Sequence, residues 1–117
     1  MWIAVGCVGG VGAVGRFALD ALIGARERRG FPLGTLVVNL SGTLLLGLLV
    51  GLGAKGNLLL LAGVAAIGSY TTFSTWMLET DRLAEEAAFR AAFLNVSVSM
   101  ILGFGAALLG RVIGLQL

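Results

Sequence analysis

Histidine is absent from this sequence, and cysteine occurs once, at Cys7. Without histidine, a His-based metal site and a histidine general base are both excluded. A single cysteine likewise excludes an internal disulfide and a cluster of thiolate metal ligands. Because Cys7 lies in an apolar run, we interpret it as a small packing residue. Histidine and thiolate chemistry are therefore not among the functions to consider.

Charged residues are also scarce. They make up 12% of the chain, whereas hydrophobic residues make up 58% and the mean hydropathy is +1.02. A soluble domain contains about 25% charged residues, so this composition indicates a membrane protein. The net charge of +2 comes from a few side chains in short connections, so we expect no basic face for nucleic acid.

The few charged residues divide the chain into four apolar spans. The first, at residues 2–24, is interrupted by Arg16 and Asp20, and the other three carry no charge over residues 31–54, 57–78 and 91–110. A membrane helix needs roughly 20 apolar residues, so each span is long enough. No basic region precedes the first span, and we expect no cleaved signal peptide.

These spans predict an all-α membrane protein formed by one domain over residues 1–117. We place its four transmembrane helices at about 2–24, 31–54, 57–78 and 86–114. The charged connection between the last two spans is interpreted as a helical extension, because Glu86 and Arg90 are four residues apart and of opposite charge.

Nineteen glycines are a second prominent feature. Several lie four residues from another small residue, a spacing that lets two membrane helices approach closely. The pairs are Gly6/Gly10, Gly9/Ala13, Gly47/Gly51, Ser99/Gly103 and Gly103/Ala107. They serve packing within one subunit or an interface between subunits. Because four helices barely enclose a pathway, we favour an oligomer.

Residues 68–76 differ from the plain apolar run around them. The stretch begins with Gly68 and contains five Ser or Thr residues and three aromatic residues. Irregular backbone is tolerated inside a membrane where it lines a cavity or binds something. The stretch therefore predicts that the third helix is broken in mid-membrane, where transport proteins place ions. The alternative is a continuous helix in which these residues only pack.

Other polar residues occupy shared helical faces. The first helix carries Arg16 and Asp20 on one face. They form a local ion pair, or Arg16 extends to the membrane surface, or Arg16 supplies a positive potential that draws anions into a vestibule. In the uncharged spans, donors outnumber acidic groups, and aromatic ring edges are positive, which favours an anion pathway. These side chains include Thr35, Asn39, Phe73, Ser74, Thr75, Trp76, Asn95 and Ser99.

Four motifs in order resemble the small bacterial fluoride channels of the Fluc/CrcB family. They are GGVGAVGRF at residues 9–17, GTLVVNLSG at 34–42, GSYTTFSTW at 68–76, and Asn95 in the last helix. The resemblance covers nearly the whole chain. It implies a fluoride-selective channel, not an enzyme, that exports cytoplasmic fluoride passively through the bacterial plasma (inner) membrane and so reduces its toxicity.

The resemblance also implies an assembly and a site. Two antiparallel subunits form a dual-topology dimer with two fluoride pathways. A structural sodium ion (Na+) at its centre is held by the backbone carbonyls of Gly68 and Thr71. Asn39 donates to fluoride, Phe73 presents its ring edge, and further pathway residues are Trp76, Ser74, Thr75, Thr35, Asn95 and Ser99. Arg16 is a vestibule or structural charge.

Trp76 departs from the family, which usually has Phe at this position. The indole still serves in a homodimer, or the pathway that would use it is altered or closed, or this chain pairs with a different subunit in a heterodimer. The charges bear on the choice. Arg26, Arg28, Arg29, Arg82 and Arg90 lie on one side of the predicted membrane, and Lys55 and Arg111 lie on the other. Dual insertion prefers a weaker bias than this one. We favour the homodimer, and the heterodimer remains an alternative.

Two other functions fit parts of the sequence. A small multidrug-type proton-coupled transporter needs a carboxylate inside the first helix, and Asp20, near the end of that span, is the one candidate. A non-conducting partner subunit is supported by Trp76 alone.

Overall fold

The computed structural model describes residues 1–25 and 30–117. These residues form five helical segments: α1 (Trp2–Gly24), α2 (Leu33–Gly51), α3 (residues 56–70), α4 (Ser74–Glu85) and α5 (Phe89–Gln116). α3 and α4 together make one span, Gly56–Glu85, so four helices are long and apolar enough to cross a membrane. The prediction of an all-helical protein with four such helices is confirmed. The charges expected at Arg26, Arg28 and Arg29 lie outside the described residues.

The ends of the helices differ from the prediction around the charged connection. α4 continues beyond residue 78, the end of the apolar span, to Glu85, so the helical extension predicted for the charged connection is present over residues 79–85, where Asp81 and Arg82 are exposed. α5 begins at Phe89, and Ala87 adopts a positive φ of 58° in the intervening turn. The hydropathy pattern thus shows which part of the helix is apolar, but it does not show the residue at which the helix ends.

The predicted Glu86–Arg90 pair is wrong. Glu86 lies in the turn after α4 and pairs with Arg82, whose Nε is 3.2 Å from Glu86 Oε1. Both residues of this pair are largely exposed, so it contributes little to stability.

α2 packs against α5 through glycines on both helices. A Cβ atom at Gly47 would collide with the Ala107 carbonyl oxygen, and one at Gly110 would collide with the Leu44 carbonyl oxygen. The two backbones are therefore in direct contact, as small residues at this spacing allow. The Gly47/Gly51 pair predicted from the sequence serves packing within the subunit. Its counterpart on α5 is Gly110/Gly114, which has the same four-residue spacing but was not among the pairs predicted from the sequence.

α1 meets α3 in a similar way, since a Cβ atom at Gly12 would collide with the Ala66 carbonyl oxygen. Other predicted small-residue positions face open space. No described atom lies within 4 Å of a Cβ built at Gly6, Gly10 or Gly103. The small residues therefore divide into a set that packs this subunit and a set on its surface.

Most of α3 is a π-helix, which runs from Leu59 to Ile67. Nothing in this run of leucines and alanines accounts for it. Such segments are rare and frequently lie next to functional sites. Here the π-helix ends one short α-helical turn, Gly68–Tyr70, before the interruption between α3 and α4.

Candidate ion pathway at the helix break

The third span is interrupted between Tyr70, the last residue of α3, and Ser74, the first residue of α4. Thr71 closes α3. Its N–H and its hydroxyl both donate to the Ile67 carbonyl, at 2.9 and 3.0 Å. Its own backbone then becomes extended, with φ −75° and ψ 157°. The chain leaves the helix here and resumes it three residues later.

Asn39 of α2 binds the interrupted backbone at two points. Its Nδ2 donates to the Thr72 carbonyl oxygen over 2.9 Å, and its Oδ1 accepts the Thr72 N–H over 2.8 Å. The side-chain amide therefore takes the place of the helical partners that Thr72 would otherwise have. An unpaired backbone group at this position would cost several kcal/mol in hydrocarbon.

A second contact from α2 holds the other side of Thr71. The hydroxyl oxygens of Tyr70 and Ser41 are 2.8 Å apart. Because the Ser41 hydroxyl donates to the Val38 carbonyl, Tyr70 is the donor in this pair. Gly42 allows the approach, since a Cβ atom there would collide with Thr71.

Thr72 also starts α4. Its Oγ1 accepts the Thr75 N–H over 3.2 Å and lies 3.1 Å from the Thr75 hydroxyl. Threonine is favoured in this capping role because the first amides of a helix have no helical partner. The sequence analysis missed Thr72. Its signal is a hydroxyl residue two positions before the start of α4, three residues from the amide of Thr75 that it accepts.

The hydrogen bonds of Thr72 free two carbonyl groups. In a continuous α-helix the Thr72 N–H would bond to the Gly68 carbonyl, and the Thr75 N–H would bond to the Thr71 carbonyl. Both N–H groups are used elsewhere, and within the described ranges no hydrogen bond replaces them on either carbonyl. Free carbonyls in an unwound segment suit a sodium ion. Gly68 and Thr71, the two residues predicted for sodium, therefore fit that ion.

Two aromatic rings stand beside these carbonyls. The Phe73 and Trp76 centroids are 5.7 Å apart with an interplanar angle of 78°, an edge-to-face pair. Phe73 is 70% exposed. The Trp76 Nε1 donates to the Asn95 carbonyl oxygen over 3.2 Å, so the indole N–H is engaged within the subunit.

A groove of about 310 Å³ brings several predicted site residues together. Ser99 contributes a buried hydroxyl oxygen that has no hydrogen-bond partner among the described residues. The lining includes Asn39, Gly68, Thr71, Phe73, Trp76 and Ser99.

Asn95, by contrast, does not line the groove. It is 1% exposed, and its Nδ2 donates to the Thr80 hydroxyl over 2.9 Å. The Thr80 hydroxyl in turn donates to the Trp76 carbonyl. The Asn95 side chain therefore joins α5 to α4 behind Trp76.

A second cavity, of about 160 Å³, lies on the other side of the break. It is lined by Arg16 and Asp20 of α1 together with Thr35, Thr72 and Thr75. Arg16 Nε is buried and has no hydrogen-bond partner in the part of the chain that the structure describes, and no ion pair joins Arg16 to Asp20 there. The cavity therefore holds a guanidinium from Arg16 and a carboxyl group from Asp20 on the same helix.

Glu79 is a polar residue that the sequence analysis left outside the third span. The Thr35 hydroxyl donates to Glu79 Oε1 over 2.9 Å, and Thr35 is 2% exposed. Glu79 lies one turn beyond Thr75 on the same face of α4. Glu79 thus places a carboxyl group at the end of the face of α4 that carries the Thr75 hydroxyl, which we call the hydroxyl-bearing face. The sequence signal for Glu79 is its i, i+4 spacing from Thr75. The predicted span ended at residue 78, so Glu79 was not considered with it.

Comparison with known proteins identifies the family. Residues 3–111 match the family described as CrcB-like protein, Camphor Resistance (CrcB). This chain belongs to the CrcB family. The resemblance carried by the four motifs is therefore confirmed.

Relatives of this CrcB chain are named as channels. It is 56% identical over 111 residues to a fluoride-specific ion channel, FluC 2, of Mycolicibacterium paratuberculosis, an overlap of 95% of this chain and 91% of that protein. It is 50% identical over 111 residues to FluC 2 of Mycobacterium bovis, covering 95% and 88%. It is 41% identical over 119 residues to FluC 1 of Symbiobacterium thermophilum, covering 97% and 96%. With its four candidate membrane spans, the chain is a multi-pass membrane protein.

Proposed function

We propose that this protein is a fluoride-selective channel that lets fluoride leave the cytoplasm passively through a bacterial plasma membrane. The observation that carries the proposal is the helix break lined by donors and ring edges, in a chain 56% identical to a protein named as a fluoride-specific channel. Fluoride is small and strongly hydrated, so several donors must replace its water. No enzymatic step is part of this function.

The working unit is an antiparallel homodimer with two pathways. Supporting this, the groove at the break is open on one face of the subunit, and Phe73 stands exposed in it. Residues 71–73 divide the span Gly56–Glu85 near its middle, so the break lies deep in the membrane. A second copy over this groove removes the exposed polar groups from lipid.

Sodium belongs to the dimer centre, where the Gly68 and Thr71 carbonyls would hold it. The ion supplies positive charge in a region of low dielectric and thereby lowers the cost of bringing an anion close. The chain's own part is to leave these two carbonyls without helical donors.

Fluoride enters by way of the cavity that Arg16 and Thr75 line, where the Arg16 charge attracts it, and then passes the Ser74 hydroxyl at the start of α4. Phe73 and Trp76 offer ring edges, which are positive. Asn39 has two N–H bonds on Nδ2, and one is used on Thr72, so the second is left for the anion. The Ser99 hydroxyl is a further donor in the groove.

Trp76 bears on the choice between a homodimer and a heterodimer. Its N–H is satisfied by Asn95 of the same subunit, so the indole needs no special partner chain. This supports the homodimer. No observation favours a proton-coupled transporter, since Asp20 lines the Arg16 cavity near the end of α1.

The test is anion efflux from liposomes that contain this protein alone, with fluoride and then chloride as the permeant ion. We expect fast fluoride efflux and no chloride efflux above protein-free liposomes. Efflux of both ions would remove the selectivity from the proposal. Absence of both, with the protein shown to be inserted, would favour a subunit that needs a different partner.

A further inference from the structure

The Gly68 and Thr71 carbonyls are free because, for each one, a side chain accepts the hydrogen bond of the backbone N–H that would otherwise bond to it. Asn39 Oδ1 takes the Thr72 N–H that would return to the Gly68 carbonyl. The Thr72 hydroxyl takes the Thr75 N–H that would return to the Thr71 carbonyl. The two captures are separate hydrogen bonds, made by different side chains.

Each of these two hydrogen bonds can be replaced by the ordinary helical bond of the same N–H group. A backbone N–H that loses its partner in an apolar surrounding costs several kcal/mol until it finds another. The nearest replacement for each N–H is its ordinary helical acceptor, four residues earlier. Removal of either side chain therefore favours recovery of a helical bond and occupation of one carbonyl.

The surroundings keep the break in register with α2. Tyr70 bonds to Ser41 before Thr71, and Asn39 bonds to Thr72 after it. Gly42, between Ser41 and Thr43 in sequence, lets α2 touch Thr71 directly. The amide of Asn39 is therefore held at the height of Thr72 by contacts on either side.

We propose that Asn39 and Thr72 are positioning residues for the cation site, because they keep the Gly68 and Thr71 carbonyls free of helical hydrogen bonds. The inference deepens the proposed function and rests on its sodium ion. In this role Asn39 acts through its acceptor oxygen Oδ1, which binds the Thr72 N–H. Donation to fluoride, by contrast, uses the N–H groups of Nδ2.

The two tasks are separated by variants of Asn39. Asn39→Leu removes both the acceptor and the donors at nearly constant size. Asn39→Asp keeps an acceptor for the Thr72 N–H and removes the amide donors. Thr72→Val tests the second carbonyl by removing the hydroxyl that captures the Thr75 N–H. Ser97→Ala is the matched control, since Ser97 donates only to Phe93 of its own helix.

Thermal unfolding of the purified protein is measured as sodium chloride is titrated against potassium chloride at constant ionic strength. Fluoride efflux is measured on the same variants in liposomes. A merely structural residue lowers the unfolding temperature without sodium and leaves the apparent sodium affinity unchanged. A positioning residue changes that affinity.

We expect Asn39→Leu and Thr72→Val each to weaken the apparent sodium affinity by about tenfold or more. Ser97→Ala should stay within about twofold of the unaltered protein. Asn39→Asp should retain the sodium response while its fluoride efflux falls. Should Asn39→Leu not fold, Thr72→Val and Asn39→Asp still give the comparison.

Three results would overturn the inference. One is unchanged sodium affinity in both Asn39→Leu and Thr72→Val. Another is equal loss of sodium response in Asn39→Asp and Asn39→Leu. The third is an unaltered protein that is stabilised equally by sodium and potassium, which removes the cation site. Fluoride efflux by the unaltered protein is judged separately, so the channel function survives or fails on its own.

Discussion

At the scale of single residues, one hydrogen bond decides how the large ring of Trp76 is held beside Phe73. The indole N–H donates to the Asn95 carbonyl, and the ring still packs edge-to-face with Phe73. A tryptophan whose N–H has a partner can be held in an otherwise apolar setting. The larger ring is accommodated by α5 of its own subunit.

Trp76→Phe should therefore leave fluoride-selective efflux intact while lowering the stability of the protein by about 1 kcal/mol, because one hydrogen bond is lost. Efflux from liposomes and chemical denaturation in detergent measure the two effects. Loss of efflux in this variant would mean that the indole itself is required for conduction.

Phe73→Ile tests the ring edge. Isoleucine keeps an apolar side chain at this exposed position but presents no positive ring edge, so fluoride efflux should fall by about tenfold. Phe104→Ile is a control on α5, where the ring is also exposed but does not line the groove. Equal rates in Phe73→Ile and the unaltered protein would count against ring-edge contact with the anion.

At the scale of helices, hydropathy predicted the four apolar spans but not the residues at which the helices end. Hydropathy reports which residues tolerate lipid, so it located four helices. It does not report backbone hydrogen bonding, so it did not show that α4 ends at Glu85 or that Glu86 pairs back with Arg82. The same limit hid Glu79, which bonds to Thr35 at the end of the hydroxyl-bearing face.

Gly110→Ala should destabilise the subunit by about 1–3 kcal/mol, because the added methyl group meets the backbone of α2 at Leu44. Gly103→Ala is the matched control on the same helix, with no described atom within 4 Å of the new Cβ. Thermal unfolding in detergent compares the two. Similar unfolding temperatures would show that α2 and α5 are not in backbone contact.

At the scale of the whole molecule, the described subunit leaves much of its apolar surface uncovered. No residue of α1 is buried, and Trp2, Ile3 and Phe17 are more than three-quarters exposed (82%, 85% and 76%). Lipid covers such surface well, but it cannot satisfy the polar groups in the groove. In the proposed dimer, the groove face is therefore the one that would meet the second copy.

Gly68→Val examines that face. A Cβ atom at Gly68 would have the Gly63 carbonyl oxygen, at 3.7 Å, as its nearest contact, so we expect the fold of one subunit to tolerate valine. We expect the dimer to weaken, since the new side chain extends towards the second copy. Gly6→Val, on the open side of α1, should leave the dimer intact. Cross-linking in detergent measures both, and an unaffected dimer in Gly68→Val would place the interface elsewhere.

The sequence by itself determined the membrane class, the four apolar spans, the family and the stretch in which the third span is interrupted. These follow from composition and local order, which a linear pattern records. Tertiary structure decided that Asn39 reaches across to Thr72, that Gly110 meets α2, and that the Trp76 N–H is taken by Asn95. The physical reason is that each of these groups is satisfied by a partner distant in sequence, and a linear pattern does not show which of several donors and acceptors will meet when helices pack.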